Sequence, residues 1–259
     1  MLKKFIAAVV LVSGVGFAGN DAKAALLYGS VGENLYSVNQ NTGAASLIGS
    51  FGVVNVLSSL AGAGGNLYGQ VGENLYLVNQ NTGAANLIGS FGVVNVLSPL
   101  AGDFLGNLYG TVGGNLYSVN KNTGVAGLIG SFGIVNVLSS LAVAGGNIYG
   151  TVGENLYAVN SGTGAASLIG SLGILNSIST LAGDAAGNLY GQSGGSLYSV
   201  SSATGTASLI GSFGAVNVLS PLAVVDPPSV VPLPPSAILF GTALFGLGCM
   251  RRRKSKPIS

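Results

Sequence analysis

The sequence has no histidine and no tryptophan, one cysteine, and charge on only 6% of its 259 residues. Without histidine there is no imidazole to act as a general base near neutral pH or as a metal ligand. One cysteine permits neither an internal disulfide nor a thiolate cluster. The charged fraction lies far below the roughly 25% of an ordinary soluble domain. Disorder does not follow, because disordered chains are poor in apolar residues and this one is 48% apolar. What the chain has in excess is glycine, 44 residues without the G-X-Y period of collagen.

The few charges are unevenly placed. Lys3, Lys4 and Lys23 stand near the start, and Arg251, Arg252, Arg253, Lys254 and Lys256 stand near the end. Between residues 25 and 230 only Lys121 opposes Glu33, Glu73, Asp103, Glu154, Asp184 and Asp226, a net charge of −5. That stretch offers no basic surface for phosphates, so nucleic acid is not an expected partner.

The two ends read as addresses. Lys3 and Lys4 precede an uncharged apolar run from Phe5 to Ala18, followed by Ala22-Lys23-Ala24, with small residues at the alternate positions that signal peptidase selects. Residues 1–24 are therefore expected to be a signal peptide cleaved after Ala24, the alternative being an uncut N-terminal membrane helix. At the other end, residues 226–236 form a Pro-rich linker containing Val231-Pro232-Leu233-Pro234, residues 237–250 an apolar helix, and residues 251–259 a basic tail. Fourteen residues rise about 21 Å, short of the roughly 30 Å hydrocarbon core, so spanning requires local thinning or snorkelling arginines. The basic cluster should stay cytoplasmic, with the rest of the chain outside.

The Val231–Pro234 box, the short Gly-containing apolar segment and the cluster Arg251, Arg252, Arg253 resemble the PEP-CTERM sorting signal in its VPLP form. The resemblance covers about the last 25 residues. It departs from the PEP form at Leu233, where that form has Glu, and from the VPLP form at Pro235, where Ala is common. It implies a Gram-negative exported protein, held transiently in the inner membrane and processed near the Pro box by an exosortase, often where exopolysaccharide is made. An ordinary tail anchor explains the helix and the arginines but not the Pro box. Cys249 falls in the apolar segment, as a membrane-buried thiol or an acylation position.

Between these ends one unit repeats. Leu-Tyr-Gly begins at Leu27, Leu67, Leu108 and Leu189, and Ile-Tyr-Gly at Ile148, at spacings of 40, 41, 40 and 41 residues. The first two repeats differ over 36 positions only at Ser30/Gln70, Ser37/Leu77, Ser46/Asn86 and Ser59/Pro99, which suggests recent duplication. Each repeat divides into four short apolar strands: Leu27 to Val31, Leu35 to Asn39, Ala45 to Ile48, and a longer Val53 to Ala61. Gly and Asn between them supply the positive φ of tight turns. Four strands in about 40 residues is the size of a propeller blade. The expected fold is all-β, a five-bladed β-propeller over residues 25–225, with an open β-solenoid as its rival.

An extra copy of the last strand, Ala215 to Val224, follows the fifth repeat and is placed to complete the first blade. The repeats also resemble secreted propeller repeats of the form Leu-Ala-x-x-x-Gly-Asn-Leu-Tyr-Gly, Leu-Tyr-x-Val-Asn, Thr-Gly-Ala, and lack the Gly-His and Trp-Asp marks of WD40.

Three sets of side chains recur. The ten tyrosines, at Tyr28, Tyr68, Tyr109, Tyr149, Tyr190 and at Tyr36, Tyr76, Tyr117, Tyr157, Tyr198, are expected to fill the space between blades, a sugar-stacking platform being the alternative. Asn55, Asn95, Asn136, Asn176 and Asn217 form one polar set, and Ser58, Ser98, Ser139, Ser179 and Ser220 another. One of these sets is a candidate lining of the central channel, with turn formation as the plainer role. The acidic residues are too sparse for a calcium cage, and no cofactor or metal is implied. Glu33, Glu73 and Glu154 occupy equivalent turns of different blades, where two carboxylates are not expected within the 5 to 10 Å of a glycosidase pair.

These readings point to a non-enzymatic exported protein of the cell surface or biofilm matrix, its propeller a scaffold for exopolysaccharide or another surface protein. Signal peptidase and exosortase would be its processing enzymes. A propeller binding a small ligand, sugar or ion in its channel or on one face is the second reading.

Overall fold

The computed structural model of the protein describes residues 24–227 apart from positions 54, 55, 94, 95, 135, 175, 176, 215 and 217. The signal peptide up to residue 23, with Ala22, most of the Pro-rich linker, Val231 to Pro234, the apolar segment and Arg251 to Arg253 lie outside the described residues. Twenty strands and no helix are found among those described.

The strands form five four-stranded antiparallel sheets. In the first repeat the hairpin of β1 (Leu26–Val31) and β2 (Asn34–Val38) is followed by β3 (Ala45–Ser50). The same three positions are filled in the second repeat by β5 (Asn66–Val71), β6 (Asn74–Val78) and β7 (Ala85–Ser90), and in the third by β9 (Leu108–Val112), β10 (Asn115–Val119) and β11 (Ala126–Ser131). The fourth has β13 (Asn147–Val152), β14 (Asn155–Val159) and β15 (Ala166–Ser171), and the fifth β17 (Leu189–Ser193), β18 (Ser196–Val200) and β19 (Ala207–Ser212). The fourth strand of each sheet is β4 (Ser59–Ala63), β8 (Leu100–Gly102), β12 (Ser140–Ala144), β16 (Thr180–Gly183) or β20 (Leu222–Val225). These last five strands contact one another around a common axis. They are the inner edges of five blades.

Ring closure follows the expected route. β20, from the far end of the described chain, pairs with β1, Leu27 opposite Val224 and Gly29 opposite Leu222. The first blade is thus built from both ends of the repeat region, and the ring has no open side.

Local sequence explains the turns. Val31 pairs with Asn34, leaving Gly32-Glu33 as a two-residue hairpin loop in which Gly32 takes a φ of +56°, the sign that such a loop requires at its first position. At the next turn the Asn39 side chain accepts the Asn41 and Thr42 N–H groups at 2.9 and 3.1 Å. Asn79, Asn120 and Asn160 repeat this, and in the fifth blade Ser201 Oγ accepts from the Thr204 N–H.

Packing between blades forms the core. Five apolar clusters lie at the five seams, each combining leucines of one blade with alanines or valines of its neighbour's inner strand. The longer strand expected from Val53 to Ala61 is corrected: β4 begins at Ser59 and runs to Ala63. Of the described residues before it, outside any strand, Phe51 and Leu57 are buried and Val56 is exposed. Phe51, Val53 and Leu57 pack into the seam between the first two blades rather than into a ladder. Gly52, at φ +65°, turns the chain out of β3.

The blades approach one another closely at the outer strands. A Cβ on Gly49, Gly89, Gly130, Gly170 or Gly211 would overlap the backbone carbonyl of Thr82, Thr123, Thr163, Thr204 or Thr42, respectively, in the next blade. The fifth of these contacts, Gly211 to Thr42, joins the last blade to the first. Beside them the N–H groups of Ala85, Ala126, Ala166 and Ala207 donate to the carbonyls of Phe51, Phe91, Phe132 and Leu172 at 2.8 to 2.9 Å. Replacing Gly130 by Ala should therefore destabilise the fold by about 1–3 kcal/mol through backbone overlap. Gly127→Ala in the same strand, where a Cβ would meet only Ser118 Oγ at 3.5 Å, should be neutral or stabilising by up to about 1 kcal/mol. Paired thermal or urea denaturation of the two variants checks this.

Candidate functional site

A propeller's usual place for a ligand is its axis. Here Leu60, Leu100, Leu141, Leu181 and Leu222, each 1–2% exposed, surround the axis and divide it in two. On one side, the leucines and the Ala-Gly or Ala-Val pairs that follow them enclose only about 10 Å³. That is at the lower limit for one water molecule. The small cavity follows from the close approach of the inner strands: a Cβ on Gly62 would overlap the Val224 carbonyl oxygen, and one on Gly183 would overlap that of Val143.

On the other side the axis opens into a polar mouth of about 60 Å³, lined by Ser58, Ser98, Ser139, Ser179 and Ser220 together with Ser59, Pro99, Ser140, Thr180 and Pro221. Of the two recurring polar sets, the serines stand at this mouth. Asn136 is exposed and is not among its lining residues, while Asn55, Asn95, Asn176 and Asn217 lie outside the described residues.

The mouth's polar groups are largely engaged with the protein. Ser139 Oγ donates to the Thr151 carbonyl at 3.0 Å, and Ser179 Oγ donates to the Gln192 side chain. Ser59 Oγ accepts the Leu100 N–H of the next blade at 2.7 Å, and Thr180 Oγ1 accepts that of Leu222 at 3.1 Å. Behind the mouth lie the buried polar residues Ser30, Gln70, Thr111, Thr151 and Gln192, one from each blade. Sequence reasoning missed this layer, although the alternation of Gly with Ser, Gln or Thr after each Leu-Tyr-Gly was its visible signal. Ser30 Oγ and Gln70 Oε1 have no hydrogen-bond partner among the described residues.

The described residues lining the mouth are Ser, Thr, Pro and Leu, with no carboxylate or amine among them. Glu33, Glu73 and Glu154 are exposed in hairpin turns of three different blades. No group of three or more Cys, Asp or Glu residues able to hold a metal ion occurs among the described residues.

The first-register tyrosines, with Tyr36 and Tyr117, lie at the seams. Tyr28, Tyr68 and Tyr190 are buried, whereas Tyr109 and Tyr149 are half-buried. Burial pushes the Tyr28, Tyr68, Tyr109 and Tyr190 hydroxyls above the ordinary phenol range, and the nearby carboxylates of Asp103 and Asp184 add to this at Tyr109 and Tyr190. They therefore remain neutral hydrogen-bonding groups at physiological pH. Tyr28 Oη donates to Gln80 Oε1 of the next blade at 3.2 Å, and Gln80 Nε2 donates onward to the Gly65 carbonyl at 2.9 Å. Tyr190 and Gln40 repeat the pair at 3.3 Å across the closing seam. At the position of these glutamines the later blades have Lys121, Ser161 and Ser202. Serine is too short to reach the phenol.

Two surface grooves accompany these seams. One, of about 630 Å³ between the fifth and first blades, is lined by uncharged groups that include Gln40, Asn41, Asn188, Tyr190 and Ser202. The other, of about 400 Å³ on the second blade, is lined by amides that include Asn66, Gln80 and Asn86.

No protein-family model and no curated protein matches the chain. Solved structures do. One is a symmetrical protein, from work on its de novo evolutionary emergence under folding constraints, with 21% identity and a TM-score of 0.58 over 80% of this chain and 100% of that one. Another is a chain of a nidogen/laminin complex, with 12% identity and a TM-score of 0.53 over 78% of this chain and 98% of that one. The likeness is one of fold. The chain is a five-bladed β-propeller.

The seam chemistry is testable. Ser161→Gln should reproduce the Tyr28–Gln80 pair with Tyr109, raising stability by about 0.5–1.5 kcal/mol. Gln80→Ser should lower it by a similar amount, and chemical denaturation of both variants against the parent reads the two signs.

Proposed function

We propose that the protein is a non-enzymatic, exported scaffold of the cell surface or extracellular matrix, sorted by its C-terminal signal and acting through the outside of its propeller. The observation that carries this reading is the closed axis, with about 10 Å³ behind five buried leucines and a mouth of about 60 Å³ where the Ser59, Ser139, Ser179 and Thr180 hydroxyls bond to the protein. A sugar or cofactor has no room there. The surface left for interaction is the outer one.

Chain geometry supports the sorting part. Leu26 and Val225 are paired at the same end of the first blade, and Ala24, Asp226 and Pro227 line one small cavity there. The serine mouth lies at the opposite end, since Ser59 pairs with Gln70 and Ala63 with Asn66. A tail leaving beyond Pro227 therefore departs from the face away from the mouth. A tether carrying Val231-Pro232-Leu233-Pro234 and Arg251 to Arg253 would turn that face toward the membrane and leave the mouth and rim outward.

A second reading, binding of a neutral sugar, is favoured by the uncharged groove of about 630 Å³ between the fifth and first blades. Mass spectrometry of the protein from a Gram-negative host with and without its sorting protease tests the main reading. A product from Ala25 to near Val231 only where the protease is present is expected. An intact arginine-rich tail in both strains would contradict sorting, and binding of neutral glycans lost on Asn41→Ala would support the second reading.

A further inference from the structure

Every charge of the ring sits at one of its two ends. Glu33, Glu73 and Glu154 occupy hairpin turns on the mouth face, a net −3. Asp103, Asp184, Asp226 and Lys121 occupy turns or the chain exit on the opposite face, a net −2. The rim between the faces carries none. Its outer strands β3, β7, β11, β15 and β19 read ASLIGS, ANLIGS, AGLIGS, ASLIGS and ASLIGS.

Each of these strands turns one leucine outward. Leu47, Leu87, Leu128, Leu168 and Leu209 are 62%, 62%, 63%, 61% and 64% exposed. Exposed sheet edges in soluble proteins are commonly blunted by lysine, proline or inward-pointing charge. None of these occurs here. A bulge does interrupt each pairing, as between Leu35 and Tyr36, and the next blade's Thr-Gly turn covers the end of the strand at Gly49. What remains free is a short apolar segment centred on the leucine.

We propose that the rim is a homotypic interface through which copies of this propeller associate side by side. Charge placement selects both the partner and the direction. Two copies meeting face to face bring anionic surfaces together, whereas two copies meeting at the rim bring together uncharged strands of nearly the same sequence. A single leucine-centred contact is small, so each is weak. Five on one ring give avidity once several are engaged. Pentagonal contacts do not tile a plane, so growth yields an irregular network rather than a closed oligomer. The inference rests on the ring's surface alone and stands apart from how the protein is exported.

Residues 25–227 contain both closing strands and all five apolar clusters, so this unit is the one to test, free of the apolar end segments. In sedimentation equilibrium its average mass should rise to at least twice the monomer over a roughly hundredfold range of concentration, as mass action requires. Added salt should not weaken this, because the contact is uncharged. Replacing all five leucines by lysine should leave a monomer with unchanged circular dichroism. If the lysine variant unfolds, Leu→Thr at the same five positions, which keeps strand propensity, should be monomeric instead. A parent that stays monomeric throughout, a folded rim variant that associates as the parent does, or association abolished by salt would each overturn the proposal. A monomeric parent that binds vesicles of neutral lipid would assign the rim to membranes instead.

Discussion

The structure depends on backbone meeting backbone between blades. Five glycines of the outer strands lie against five threonine carbonyls of the following blades, and inner-strand glycines lie against inner-strand carbonyls. Side chains at these positions would hold the blades apart, and the buried leucines and phenylalanines of the seams would then lose their neighbours. Because the fifth outer contact, Gly211 against Thr42, links the last blade to the first, the closing seam uses the same chemistry as the others. β20 supplies the inner strand of the first blade at this seam.

The same close approach determines what the molecule can do. Inner strands that touch leave only about 10 Å³ on the axis, a hydrophobic plug under a small mouth where several hydroxyls bond to the protein. On the exterior, charge lies only at the ends, and the rim repeats one exposed leucine per blade. A neutral surface of this kind suits contact with uncharged polymer or with further copies better than contact with nucleic acid.

Much of this was legible in the residues. The spacing of Leu-Tyr-Gly gave the blade count, Asn and Gly gave the turns, and the extra copy expected at Ala215 to Val224 gave the closing strand, which the structure shortens to Leu222–Val225, because each depends on local chemistry or on the repeat alone. The inner strand's start was not legible: Val53 to Ala61 has the composition of one strand, yet the ladder begins only at Ser59. The polar layer at Ser30, Gln70, Thr111, Thr151 and Gln192 was missed for a related reason, since burial of a polar residue depends on which blade edge covers it. That the serines stand at the mouth likewise needed the strand's true register.

Closure of the ring is the central claim, and amide hydrogen exchange on β1 tests it most directly. The Ser30 N–H donates to the Pro221 carbonyl at 3.2 Å, as the Thr111 N–H does to Pro99 in the third blade. If the last strand is a permanent part of the first blade, the two amides should exchange within about a factor of ten of one another. Exchange of Ser30 at the rate of an unstructured peptide, with Thr111 still protected, would show an open ring and contradict the account.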